Sequence, residues 1–166
     1  MRDEVLDIAA LYDAHAARVW RMVARLGVPD PGVEDVVQEV FLTAHRRRGE
    51  FRGEAAPLTW LLGIALRLAA RARRTRRPEV EVSDAYVDPV GSPEEQLERR
   101  RALSRLEQVL SQLGDEQREV LVLMDLEQLT APQVAEVLEV KLNTVYSRLR
   151  LARAALARAL APQEVL

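Results

Sequence analysis

Residues 130–150 read TAPQVAEVLEVKLNTVYSRLR, and the spacing of apolar and small residues in this stretch decides the fold of the chain's second half. Thr130 stands where a helix N-cap belongs, and Gln133 follows at the capping-box distance. Val134, Ala135 and Leu138 form the inward face of a short helix, and the small Ala135 lets a second helix cross close to it. Val140 plugs the corner, and Val145 and Leu149 anchor the second helix. This is the spacing of a helix-turn-helix. Glu139 occupies the corner where glycine is usual, at a cost of roughly 1 kcal/mol if the residue is left-handed. With Val145 and Leu149 inward, Asn143, Thr144, Tyr146, Ser147 and Arg150 point outward. Arginine forks onto guanine, asparagine onto adenine, and hydroxyls reach bases or phosphates. Arg148 and Arg153 lie nearby to hold a nucleic-acid backbone, and the helix N-terminus favours a phosphate. The competing reading is a helical hairpin used for protein packing.

Outward from this corner the whole chain has helical period. Leu11, His15, Val19, Met22 and Leu26 recur at spacings of three and four, predicting a helix over 3–26. GVPDPG (27–32) breaks it, and Val36, Val37, Val40, Phe41 and Ala44 mark a helix over 33–47. A loop over 49–57 precedes a third helix, 57–75, with Trp60, Leu61, Ile64, Leu68 and Ala72 apolar. No alternating strand pattern appears. Residues 78–93 hold three prolines, one glycine, acidic residues and no basic one, which is linker composition. SPEE (92–95) then opens a helix running to Gly114, with Ser92 as cap, Pro93 in the first turn and Glu95 closing a capping box. A further helix is predicted over 115–127, and the last runs to about Leu160. The fold class expected is all-α, with two small helical domains, 1–77 and 94–166, joined by an acidic flexible linker.

Charge is segregated along the chain although the net value is only −2. Residues 46–77 and 141–166 are basic blocks, and residues 1–45 and 78–140 are acidic. Two basic blocks divided by an acidic stretch suggest two polyanion-facing surfaces. An enzyme reading has little support. There is no cysteine, the only histidines are His15 and His45, and no glycine loop suits a phosphate. No catalytic residue, metal site or cofactor is therefore expected. His15, on an apolar face, reads as a packing residue. No apolar run approaches the ~18 residues of a membrane span, and residues 1–25 lack a signal-peptide pattern, so a cytoplasmic protein without membrane insertion is expected.

Taken together, the two halves resemble the extracytoplasmic-function (ECF) sigma factors, small initiation subunits of bacterial RNA polymerase. VEDVVQEVFLTAHRR (33–47) resembles the polymerase-binding helix of sigma region 2, and FRGEAAPLTWLLGIALRLAARARR (51–74) resembles its promoter-melting part. LSQLGDEQREVLVLMDLEQLTAPQVAEVLEVKLNTVYSRLRLARAAL (110–156) resembles region 4.

The resemblance implies that Asp35, Gln38 and Glu39 bind the clamp helices of core RNA polymerase. Phe51, Arg52, Trp60, Arg67, Arg71 and Arg74 would serve the −10 element, with Arg73, Arg76 and Arg77 adding charge. Trp60 also fits a core position at its spacing. Arg67 stands where the family often has Asn, Arg71 where it has Asp, and Gly32 and Val33 replace the usual Asp and Ala. Asn143, Thr144, Tyr146, Ser147 and Arg150 would read the −35 element beside Arg148 and Arg153, with Arg118 as a phosphate contact and the polymerase flap as a further partner. The acidic linker would thread the polymerase toward the RNA exit path. Promoter DNA and an anti-sigma factor complete the expected partners. Two other readings are compatible with the same residues. One is a helix-turn-helix regulator that binds DNA without polymerase. The other is a sigma-like decoy of an anti-sigma factor.

Overall fold

A computed structural model describes residues 6–75 and 91–161 of the chain. The described residues are mainly helical and include no strand. The helices are α1 (Ile8–Arg25), α2 (Asp30–Arg47), α3 (Pro57–Thr75), α4 (Pro93–Gln112), α5 (Asp115–Leu121), α6 (Ala131–Leu138) and α7 (Leu142–Leu160). A 3-10 turn, Arg48–Glu50, follows α2, and a π-helical turn, Val122–Leu126, follows α5. The chain divides into two compact units, one carrying α1–α3 and the other α4, α5, α7 and most of α6. The linker expected over 78–93 lies outside the described residues except for its last three, as do Arg76 and Arg77.

The first unit is a three-helix bundle in which each helix packs on the other two. Val19, Met22, Val23 and Leu26 from α1 and its cap are fully buried, with Val33, Val40 and Ala44 of α2 and Leu61, Leu62, Ala65 and Ala69 of α3. The apolar periodicity of the sequence supplies these faces because residues three and four apart share one side of a helix. At the rim, Tyr12 of α1 meets Phe41 of α2 edge to face, with ring centroids 4.9 Å apart.

The helix ends explain where the elements start and stop. Asp7 caps α1, its carboxylate accepting from the Ala10 amide at 3.1 Å. At the other end the Gly27 amide donates to the Ala24 carbonyl and the Val28 amide to the Val23 carbonyl, with Gly27 at φ 90°. This is a Schellman ending, and Val28 is buried beside it. Helix α2 begins at Asp30, three residues before the expected start, because Pro31 fits the first helical turn instead of breaking it. Helix α3 has the predicted bounds.

In the second unit α4 opens with the expected capping box. The Ser92 amide donates to Glu95 at 2.9 Å, and the Glu95 amide donates to the Ser92 hydroxyl at 3.3 Å. Helix α4 ends at Gln112, with Leu113 extended, so that Gly114 can cap α5. The helix expected over 115–127 is interrupted. After Leu121 it widens into the π turn, and the Glu127 amide reaches back five residues to the Val122 carbonyl at 2.8 Å. The core of the unit collects Val109, Leu110, Leu113, Val120, Leu121, Val122, Leu123, Leu129, Val134, Val145, Leu149 and Ala152.

The corner between α6 and α7 repeats the ending of α1. The Glu139 amide donates to the Glu136 carbonyl and the Val140 amide to the Ala135 carbonyl, and Glu139 sits at φ 55°. Thr130 and Gln133 cap α6 reciprocally. The Thr130 amide donates to the Gln133 side chain at 2.8 Å, and the Gln133 amide reaches the Thr130 hydroxyl at 3.5 Å.

Because Gly27 adopts a left-handed conformation that a Cβ opposes, Gly27→Ala is expected to destabilise the chain by about 1–2 kcal/mol. Urea unfolding checks this, and an unchanged midpoint would contradict it.

Candidate nucleic-acid and polymerase interfaces

Helix α7 is oriented by what it buries. Val145, Leu149 and Ala152 are at or near zero exposure and form one stripe. The opposite side carries Asn143, Tyr146, Ser147 and Arg150, all exposed, with Thr144 half-buried at its edge. The Ser147 hydroxyl donates to the Thr144 carbonyl at 3.1 Å, which holds it against the helix with its lone pairs still outward. Arg150 makes no ion pair with any described residue. Lys141 stands at the N-cap of α7 with no side-chain cap bond; its carbonyl accepts from the Thr144 and Val145 amides, so only the Leu142 and Asn143 amides face outward for an acceptor.

Arg148 and Arg153 are placed differently from Arg150. Arg148 Nη2 lies 2.6 Å from Glu116 Oε1, at the start of α5. Arg153 forms a two-pronged pair with Asp125 of the π turn, Nε to Oδ2 at 2.9 Å and Nη2 to Oδ1 at 2.6 Å. Hydrogen bonding to Asp125 raises the Arg153 pKa above its ordinary value, outweighing a slight loss of solvation. Neither carboxylate partner was apparent from the sequence, because the pairs join residues 32 and 28 positions apart.

Arg118 corrects an expectation. It is 9% exposed and works inside the fold. Its Nε donates to the Leu110 carbonyl at 2.7 Å, and its Nη2 donates to the Leu113 carbonyl at 3.0 Å and the Ser111 carbonyl at 3.3 Å. Asp115 lies 3.5 Å from Nη1. The guanidinium thus gives the Ser111 and Leu113 carbonyls a donor and adds a second one to the Leu110 carbonyl, which also accepts from the Leu113 amide at 3.2 Å, a use that a phosphate contact would compete with.

In the first unit Arg67, Arg71 and Arg74 follow one another at i, i+4 and i+7, and all three are exposed. Arg73, counted with them in the sequence, turns the other way and donates through Nη1 to the Leu26 carbonyl at 2.5 Å, tying α3 to the end of α1. Phe51 and Trp60 are both half-buried, with centroids 5.5 Å apart and planes tilted by 58°. Trp60 is therefore partly core and partly surface. Arg52 is exposed beside this aromatic pair.

Asp35, Gln38 and Glu39 share one face of α2, with Asp35 and Gln38 exposed. Glu39 pairs with Arg46 at 2.5 Å and accepts from the Thr43 hydroxyl at 3.4 Å. Leu42, 48% exposed, continues the same stripe one turn on.

Comparison with known proteins bears on both units. Residues 11–79 match the model of Sigma-70 region 2, and residues 103–156 match that of Sigma-70, region 4. The RNA polymerase sigma-H factor of Pseudomonas aeruginosa is 35% identical over 141 residues, covering 78% of this chain and 73% of the relative. The ECF RNA polymerase sigma factor SigK of Mycobacterium sp. (strain KMS) is 36% identical over 152 residues, covering 86% and 77%. The chain belongs to the ECF RNA polymerase sigma factors. Among solved structures, CnrH in complex with the cytosolic domain of CnrY superposes with a TM-score of 0.71 at 26% identity, over 92% of this chain and 86% of CnrH. As a sigma factor, this protein is a transcription initiation factor that works with core RNA polymerase and promoter DNA. Among its described residues no helix is long and apolar enough to cross a membrane.

Arg118→Met keeps an unbranched stem and removes the guanidinium donors from the buried end of α4. It is expected to cost about 1–3 kcal/mol in denaturant unfolding and to leave the selected −35 sequence unchanged. A shifted −35 preference with full stability would restore the DNA role.

Proposed function

We propose that this sigma factor divides its work as its two units divide its charge. The first unit, with domain bounds 1–77, holds core polymerase and opens the −10 element. The second, 94–166, reads the −35 element, and residues 78–93 connect them. The observation that carries this reading is the outward face of α7. Asn143, Tyr146, Ser147 and Arg150 are exposed opposite a buried stripe, and Arg150 is uncommitted to any described carboxylate. These are donors and acceptors matched to base edges in a major groove. Thr144 borders the same face, and Arg148 and Arg153 flank it where phosphates would run.

The clamp helices of core polymerase are assigned to the Asp35, Gln38 and Glu39 face of α2, where carboxylates suit basic partner residues. The exposed line of Arg67, Arg71 and Arg74 would follow the −10 phosphates, and Phe51, Arg52 and Trp60 would meet an unstacked base. CnrH is held in its solved complex by the cytosolic domain of CnrY. We infer a comparable protein partner here, an anti-sigma factor. The factor acts without catalysis of its own, in the cytoplasm where polymerase is found.

Gel filtration of the chain with core RNA polymerase, beside a DNA-binding assay of the chain alone, tests the whole reading. Co-elution with core and weak specific DNA binding without it are expected. Specific binding by the free chain with no core association would instead make it an independent regulator. Core association abolished in the double variant Asp35→Lys/Glu39→Lys, with circular dichroism unchanged, is expected of the clamp assignment. The exposed Glu39–Arg46 pair contributes little to stability, and retained co-elution would remove that assignment. Arg150→Ala is expected to weaken promoter binding by holoenzyme by about 1–3 kcal/mol and to relax one −35 position. Footprinting on a base-substituted promoter series reads both effects.

A further inference from the structure

The two ion pairs on α7 stand where they bear on discrimination. At about 100° per residue, Arg148 lies roughly 60° to one side of the buried Val145 and Arg153 roughly 80° to the other. Each flank of the helix therefore carries one arginine, and each arginine is met by a carboxylate from a different element. Glu116 comes from the first turn of α5 and Asp125 from the π turn. Both pairs are open to water. Side-chain exposure is 21% for Arg148 and 70% for Glu116, and 56% for Arg153 and 30% for Asp125.

A free arginine on the flank of a helix lying in a groove binds any phosphate, whatever the sequence. A paired one must first exchange its carboxylate, and the carboxylate itself repels the phosphate. We propose that Glu116 and Asp125 are specificity-determining positioning residues. They occupy Arg148 and Arg153, hold down sequence-independent binding by the second unit, and leave base contacts from the outward face to decide affinity. This rests on the reading of α7 as the −35 helix. The two carboxylates set the ratio of specific to non-specific binding without touching a base.

The test uses the full chain and a short duplex of random sequence, with affinity read by fluorescence anisotropy over a salt series. Glu116→Gln/Asp125→Asn keeps side-chain size and removes both charges. It is expected to bind the duplex more tightly, with the slope of log Kobs against log salt steeper by about 0.9 for each released arginine that reaches a phosphate. The single variants Glu116→Gln and Asp125→Asn should each give part of this change, should the pair together impair folding. Glu94→Gln/Glu98→Gln changes the net charge equally at exposed positions on α4 and is expected to leave the slope unchanged. A merely loosened fold would lower affinity, the opposite direction. An unchanged slope in the double variant, or an equal change in the α4 control, would overturn the proposal.

A second arm selects −35 sequences from a randomised promoter pool with holoenzyme. The double variant should give a flatter selection, and an undiminished one counts against the proposal. Arg150→Ala is run beside it. Selection unaltered by Arg150→Ala would remove α7 as the reader and the inference with it. Selection altered by Arg150→Ala, with the salt slope of the double variant unchanged, would overturn the inference alone.

Discussion

The burial of Val145, Leu149 and Ala152 fixes the roll of α7, and what the second unit offers to a partner follows from that roll. A helix that must hide one stripe shows the side opposite it, so Asn143, Tyr146, Ser147 and Arg150 are outward by necessity. Moving the buried stripe by one residue would turn the outward set by about 100° and bring other side chains forward. Burying two or three aliphatic side chains contributes several kcal/mol, about 1.5–3 for each of the larger ones. Exposed ion pairs contribute about 0–1 kcal/mol each. The apolar stripe therefore decides the orientation, and the pairs with Glu116 and Asp125 act on a helix already set.

Turn chemistry is the second constraint, and the chain solves the same problem twice at different cost. Both α1 and α6 end with a left-handed residue whose amide and successor's amide close back on the helix. Gly27 fills that place in the first unit without steric penalty. Glu139 fills it at the end of α6 and carries roughly 1 kcal/mol of left-handed strain. The corner still forms, because the two amide bonds it closes and the core beneath α6 and α7 outweigh that cost. The same arithmetic explains Arg118. In so small a unit, carbonyls left unpaired at the end of α4 would be a large part of the net stability, and one buried guanidinium donates to Ser111 and Leu113 while reinforcing Leu110.

What was legible in the sequence was local. Both capping boxes, the bounds of α3, the left-handed corner at Glu139 and the outward face of α7 depend on residues within a few positions of each other, where helical geometry alone fixes the outcome. Misreadings arose where a residue's partner lies elsewhere. Arg118 looked like one more cation near a DNA-binding helix until α4 and α5 were brought together around it. Arg73 counted as charge on a basic helix, yet the end of α1 uses it. The π turn had no signal, since Val122–Leu126 is as apolar and regular as an α-helix would be. Pro31 reads as a breaker in GVPDPG, although proline is well suited to the first turn of the helix in which it stands.

The segregation of charge along the chain takes on a different meaning once the pairs are known. By sequence the last block is basic, with Lys141, Arg148, Arg150, Arg153 and Arg158 in α7 and its cap. In three dimensions two of those five charges are met by acids from the preceding acidic stretch. The basic block is thus less a continuous polyanion-binding stripe than an outward edge around Arg150 with restrained flanks. Electrostatic attraction to a phosphate backbone grows with each available cation and carries no sequence information, whereas a forked contact to a base does. A factor that must find a few promoters among many other sites gains more from limiting the first than from strengthening it. Pairing the flanking arginines with carboxylates of the same unit achieves that limit at almost no cost in stability.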